Sequence, residues 1–263
     1  MRNILIFIDM NIATYLPSAI LSPYVSAFLI IESAEGMENR VMPDTAVVMS
    51  FRFSGQVRAE ENELLPSAGL AGLRKSSRLL QYAPGTGNVL VKFKEGGAAA
   101  FFKAPLHELF DTQQSLDSLL RQQQIREVEE RLYEAADHLQ RIAIVESFLI
   151  SSLSSRAPDL LIRSAVAQIK TAHGDVKIKA LASEHYISQD AFEKRFRRQV
   201  GSTPKQFSAI VRLRHLLDHC PAADSLTEAA YEAGYYDQAH FIKDFRAFTG
   251  QSPQAFFQQS TWW

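Results

Sequence analysis

FRRQVGSTPKQF (196–207) returns as FRAFTGQSPQAF (245–256) at a shift of 49 residues. Phe196, Arg197, Gly201, Pro204 and Phe207 match Phe245, Arg246, Gly250, Pro253 and Phe256. The register extends back through Phe192 with Phe241 and Lys194 with Lys243. Further upstream, IKALASEHYIS faces LTEAAYEAGYYD, with Ala182 opposite Ala230 after a slip of one residue. Self-similarity of this kind marks one supersecondary unit used twice. Each copy reads as a short helix, a tight turn, a second helix and then Gly-x-x-Pro.

Local chemistry supports that division. Ser225 and Glu228 form an S-x-x-E capping box, and Gly234 stands where a helix end needs a left-handed residue. Ser188 and Asp237 are N-caps for the second helix of each copy. Gly201 and Gly250 end those helices, and Pro204 and Pro253 suit the first turn of the next. In the first copy Phe192, Phe196 and Val200 recur every four residues and should face a core, leaving Asp190, Glu193, Lys194, Arg197 and Arg198 outward. In the second copy Phe241, Phe245 and Phe248 should be buried, with Gln238, Ala239, Ile242, Lys243 and Arg246 outward. A helix-turn-helix needs this split, since its second helix packs on one side and enters the major groove on the other. Lys and Arg can bond guanine O6/N7, Gln can pair with adenine, and Ala or Ile can meet a thymine methyl. Asp190 and Glu193 could accept from cytosine N4; for Asp190 the favourable field of the helix N-terminus is the better account.

The first hundred residues follow another period. In VVMSFRF, Val47, Met49, Phe51 and Phe53 share one face, with Val48, Ser50 and Arg52 on the other; Val89, Val91 and Phe93 likewise oppose Lys92 and Lys94. A period of two predicts half-buried strands. PGTG (84–87) supplies the turn of a hairpin or loop; its GxG lacks the helix that a phosphate-binding loop requires. Arg52, Arg78 and Lys92 are the polar residues to examine for a pocket, against the plainer reading of a solvated sheet face.

From about Gln113 the period becomes helical. Ile125, Leu132 and Leu139 recur every seven residues, as do Val128, Ala135, Ile142 and Leu149. Such a seam predicts either a dimer-forming helix pair over 121–150 or one amphipathic helix lying on its own domain. Glu146 at a seam position and Asp137 beside it weaken the first. SSLSSRAPD (151–159) reads as a linker. The chain thus divides into a β-rich domain (1–112), an amphipathic helical segment with linker (113–158) and an all-α domain (159–263), whose helix-turn-helix units fall at about 177–200 and 225–249. The fold class is α+β.

Residues 160–258 resemble the DNA-binding domain of the AraC/XylS family of bacterial transcription regulators. The matching residues are LA (181–182), Ser188 in the turn, FxxxF (192–196), GSTP, Arg212, AGYYDQAHFIKDF and TGQSPQAF. The resemblance implies two helix-turn-helix units joined by a long helix, about Pro204 to His219, with their recognition helices entering successive major-groove segments. The chain departs from the pattern with Lys194 and Lys243 where arginine is usual, losing the bidentate fork. Tyr186 replaces a glycine in the first turn, and Leu216 a small residue on the connecting helix. VMPDTAVVMSF, LAGLRKSSR and GNVLVKFKEGGAAAFFKAPLHELFD resemble an amino-terminal, cupin-like domain of AraC-type regulators. In that family this half senses a small molecule or mediates dimerisation. Double-stranded DNA is the implied partner, with a small-molecule effector, RNA polymerase and a second copy through 121–150 as further ones.

Composition narrows the alternatives. With 28 Lys+Arg against 29 Asp+Glu in 263 residues there is no basic tail, although seven basic residues and one acidic fall between Glu193 and Arg214. Such a charge run alone is only a solvated helix face. A cupin-like enzyme would need clustered His and carboxylate ligands. The first half offers only His107 and His138, 31 residues apart, each more readily an ordinary helix residue. No HxH, HExxH or GxSxG is present, so no catalytic residue, metal or cofactor is expected. Cys220, before Pro221, is read as structural and excludes an internal disulfide. A third alternative, an architectural DNA binder without an effector, leaves the β-rich half without a purpose. The apolar stretch Ile4–Ile8 is too short for a signal peptide, and no window approaches a membrane span, so a cytoplasmic protein is expected. Trp262 and Trp263 end the chain as a disordered or docked aromatic pair.

Overall fold

Alternation along the strands builds the first layer. The computed structural model describes residues 11–154, 158–219 and 237–257. Six strands lie side by side in the order β1 (Asn11–Tyr15), β2 (Val25–Ser33), β8 (Thr86–Phe93), β4 (Val48–Ser54), β6 (Ala68–Ala71) and β9 (Gln113–Ser115), each pair antiparallel. A second antiparallel sheet has the order β3 (Met37–Val41), β7 (Arg78–Tyr82) and β5 (Val57–Ala59). On one face of the large sheet Phe28, Ile30, Met49, Phe51, Val89 and Val91 are fully buried. Helices cover that face, with Phe51 edge-on to Phe148 at 5.6 Å. The other face carries Leu29, Ile31, Val48, Ser50, Arg52, Leu90 and Lys92 and lines a cavity shared with residues of the small sheet. The half-buried strands expected with a solvated face are therefore covered on both. Within PGTG, Pro84 and Gly85 turn the chain from one sheet to the other, since β7 and β8 do not pair, and Thr86 and Gly87 already open β8.

The seven-residue stripe folds back on its own domain as two helices, α1 (Gln122–Glu134) and α2 (His138–Ser152). Ile125, Val128, Leu132, Ala135, Ile142 and Leu149 are buried in the core beneath the large sheet. The seam is thus occupied within the chain and open to no coiled-coil partner; Leu139 alone of its residues is exposed. Asp137 is the break point: its carboxylate accepts from the Gln140 N–H at 2.9 Å and caps α2. Glu146 faces the β1–β2 connection, accepting from the Ser18 N–H at 2.7 Å. His138 is held by the Tyr15 hydroxyl and the Glu32 carboxylate, both at 3.0 Å, and Arg141 stacks 4.1 Å above the Phe53 ring.

The carboxyl-terminal half contains α3 (Leu160–Thr171), α4 (Ile178–Glu184), α5 (Gln189–Val200), α6 (Pro204–His219), α7 (Gln238–Thr249) and α8 (Pro253–Phe257). Phe192, Phe196, Val200 and Phe207 join the core that continues from the β-rich half. Leu213, Leu216, Leu217, Phe241, Phe245 and Phe256 form a second cluster. Ile4–Ile8, Cys220, Ser225, Glu228, Ala230, Gly234, Trp262 and Trp263 lie outside the described residues, so the second unit is described only from Asp237. Among the described residues no helix is long and apolar enough to cross a membrane.

Candidate nucleic-acid interface

α5 begins where Ser188 accepts from the Ala191 N–H at 3.3 Å and ends at Gly201, whose φ of +98° is the left-handed closure a glycine supplies. Phe192, Phe196 and Val200 are fully buried. That fixes the helix rotation and leaves Asp190, Lys194, Arg197 and Arg198 exposed and Glu193 half-buried. Glu193 accepts from the Gln189 side chain at 2.8 Å. Arg195, on the flank of this row, is turned away by a hydrogen bond of 2.9 Å to Asp159.

α7 repeats the arrangement. The Phe241 N–H donates to the Asp237 carbonyl at the start, and the Gly250 N–H to the Arg246 carbonyl at the end. Phe241 and Phe245 are buried. Gln238, Ala239, Lys243 and Arg246 are exposed, and Ile242 is half-buried against the second cluster. Phe248, expected in the core, is only half-buried and touches both clusters.

Between α5 and α7, α6 starts with a capping box that the repeat alignment does not reveal. Thr203 Oγ1 accepts from the Gln206 N–H at 3.1 Å, and Gln206 Oε1 from the Thr203 N–H at 2.9 Å. Arg212 donates to the Gly174 carbonyl at 3.1 Å, pinning α6 to the end of α3. A side chain at Gly174, with φ +84°, would stand 2.2 Å from the Ser208 carbonyl oxygen.

The β-rich half reaches the carboxyl end of both α5 and α7, which sequence spacing gave no sign of. Gly201 sits against Leu106, where an added Cβ would be 3.2 Å from the carbonyl oxygen. Ser77 donates its N–H to the Phe248 carbonyl at 2.6 Å and its hydroxyl to the Thr249 carbonyl at 3.1 Å, satisfying two carbonyls that α7 cannot bond internally. Met42 inserts into the second cluster beside Leu213 and Phe241. Asp44, close by, is paired with Lys92 at 2.5 Å. Burial alone would raise its carboxyl, but Lys92 and then Arg214 of α6 outweigh that and hold it below the ordinary carboxylate value.

The cavity between the sheets has a volume of about 200 Å³. Arg52 and Lys92, two of the three polar residues singled out, line it; Arg78 stands behind, donating to Gln113 at 3.2 Å and to Glu63 at 2.8 Å. His107 lies in a 3-10 turn, and no group of three or more His, Cys, Asp or Glu side chains arranged to hold a metal occurs among the described residues.

A helix-turn-helix (α4–α5) and a second helix with the same split (α7) flank the shared helix α6, and both ends pack against the two-sheet β half. Residues 181–259 match the family model described as a helix-turn-helix domain, and residues 13–115 match a domain of unknown function (DUF6597). The chain's carboxyl-terminal region is thus an AraC-type helix-turn-helix domain. The HTH-type transcriptional activator RhaS of Escherichia coli (strain K12 / DH10B) is 34% identical over 83 residues, 30% of this chain and 29% of that protein. The match thus spans under a third of the relative's length. Among solved structures, ToxT from Vibrio cholerae aligns over 88% of this chain and 97% of its own, with a TM-score of 0.46 and 9% identity. The AraC-like transcriptional activator CuxR aligns over 84% and 90%, with a TM-score of 0.27 and 12% identity.

Proposed function

We propose that the chain is a sequence-specific regulator of transcription that reads two neighbouring major-groove segments with α5 and α7, under the control of its β-rich half. The observation that carries this reading is the split of both helices into a buried phenylalanine row and an exposed polar row. On α5 Lys194, Arg197 and Arg198 are the cationic readers, with Asp190 and Glu193 at the amino-terminal end. On α7 Gln238, Ala239, Ile242, Lys243 and Arg246 present a mixed row of the kind that distinguishes base pairs. RNA polymerase is the proposed protein partner, and a small molecule the proposed effector. A second copy pairing through 121–150 would have to use the exposed Tyr133, Leu139 and Ile150, because the seam itself is filled.

Selection of bound fragments from random duplex DNA tests this. The expected product holds two short motifs with centres about 34 Å, one helical turn, apart. Recovery of fragments with no shared motif, bound only through a steep salt dependence, would favour the architectural alternative and remove the regulator reading.

A further inference from the structure

The cavity between the sheets has chemistry that the DNA-reading half does not use. Five charged side chains line it, the cations Arg52, Arg74, Lys92 and Arg214 against the single carboxylate Asp44. Lys92 is taken by Asp44, and Arg74 lies 3.7 Å from Asp111. Arg52 is different: half-buried, it donates to the Leu65 carbonyl at 3.1 Å, and burial weighs on it more than the field of Glu129, which makes no ion pair with it among the described residues. A cation partly withdrawn from water and only weakly compensated is costly, and the apolar wall beside it makes a closer anion more valuable.

The register locates this cation. Arg52 lies across from Asn88, which in turn lies across from Ile31, whereas Lys92 lies across from Val48. At about 3.3 Å per residue, the four steps from Asn88 to Lys92 separate the two polar ends by roughly 13 Å. Leu29 and Leu90 face each other between them. At the Arg52 end Tyr82 packs with Ile31 and Leu65 and shares a hydrogen bond with Asn39. Asn39 is 2% exposed and its Oδ1 has no partner.

We infer that this cavity is the binding site of a compact organic acid, its carboxylate held at Arg52 and its apolar body lying along Leu29 and Leu90. The assignment rests on the reading of the β-rich half as the sensing half. Volume limits the ligand: at about 200 Å³ the cavity is smaller than the roughly 300–1,000 Å³ of pockets for drug-sized ligands, which suits a five- or six-carbon acid better than a long acyl chain. The far end of the ligand points toward the Asp44–Lys92 pair and Arg214, which belongs to the helix between the two readers.

The test is calorimetric titration and thermal melting of the full chain with hexanoate, hexan-1-ol, hexyl phosphate and hexadecanoate. Hexanoate should raise the melting midpoint with concentration, as a ligand of the native state does, and bind at least tenfold tighter than each of the other three. Arg52→Gln should lose at least tenfold in hexanoate affinity, Arg52→Lys should stay within a few-fold, and Leu90→Phe, which fills the cavity, should abolish binding. Hexan-1-ol binding as well as hexanoate, hexyl phosphate or hexadecanoate binding as tightly, or an unaffected Arg52→Gln would each overturn the assignment. If Arg52→Gln does not fold, the comparison of acid with alcohol on the parent chain and the Leu90→Phe result decide. DNA selection on the same preparation keeps the two readings apart. A selected motif without acid binding sinks this inference alone, and acid binding without a motif sinks the regulator reading alone.

Discussion

Tyr186 turns the chain between α4 and α5 at φ +57° with its side chain 96% exposed. A left-handed conformation costs an L-residue about 1–2 kcal/mol, and no burial offsets it here. Tyr186→Gly is therefore expected to raise stability by about 0.5–1 kcal/mol once glycine's own entropy is subtracted, despite deleting a large aromatic; a drop in the denaturant midpoint would show that the ring makes a contact of its own. Phe196 behaves oppositely. It is fully buried, with the Phe192 ring at 5.7 Å and the Phe207 ring at 5.5 Å, so Phe196→Ala should cost about 3–5 kcal/mol in an unfolding titration. Both residues were legible in the sequence, one as the departure from a glycine and the other as a four-residue spacing. The partners of Asp137 and Glu146 were not. They looked like flaws in a heptad seam because a single periodic pattern cannot show that a helix stops, caps and restarts inside it.

At the scale of elements, α5 and α7 should fail in separable ways. Arg197→Ala or Lys243→Ala should weaken specific DNA binding by about 1–3 kcal/mol if the side chain reads a base. If it meets only phosphate, affinity should fall alike for all sequences and the salt slope should shrink by about one. Unchanged affinity and slope would take that residue out of the interface. Strand β4 shows where the sequence ran out. Alternation separated Val48, Ser50 and Arg52 from Met49 and Phe51, but the same pattern arises whether the polar face meets water or a second sheet. The opposing wall comes from β3, β5 and β7, residues distant in sequence, so the enclosure of Arg52 left no local trace.

Across the whole molecule, charge and packing join the two halves. The Asp44 carboxyl lies below its ordinary value because Lys92 and Arg214 outweigh its burial. A depressed folded value means that the anion stabilises the fold above the unfolded pKa, and that this contribution disappears as pH falls through the folded value. Asp44→Asn should thus be less stable than the parent at pH 7, with the gap closing below about pH 3–4, near the unperturbed aspartate pKa; a gap constant from pH 7 to pH 3 in thermal melts would remove the ion pairs as its cause. Met42→Ala should lower stability by about 2–5 kcal/mol, and its calorimetric trace should show the second helix-turn-helix unit melting first. A single cooperative transition at the parent's midpoint would argue against that. The same methionine bears on protein engineering. Anyone grafting this carboxyl-terminal domain onto a foreign partner would cut at the serine-rich stretch near 151–159, and the excised domain would leave behind a sulfur-bearing plug that belongs to its own interior. Chimeras built there will need the loop at 42 transplanted too, or a bulkier neighbour at Leu213 or Leu217 to refill the vacant space.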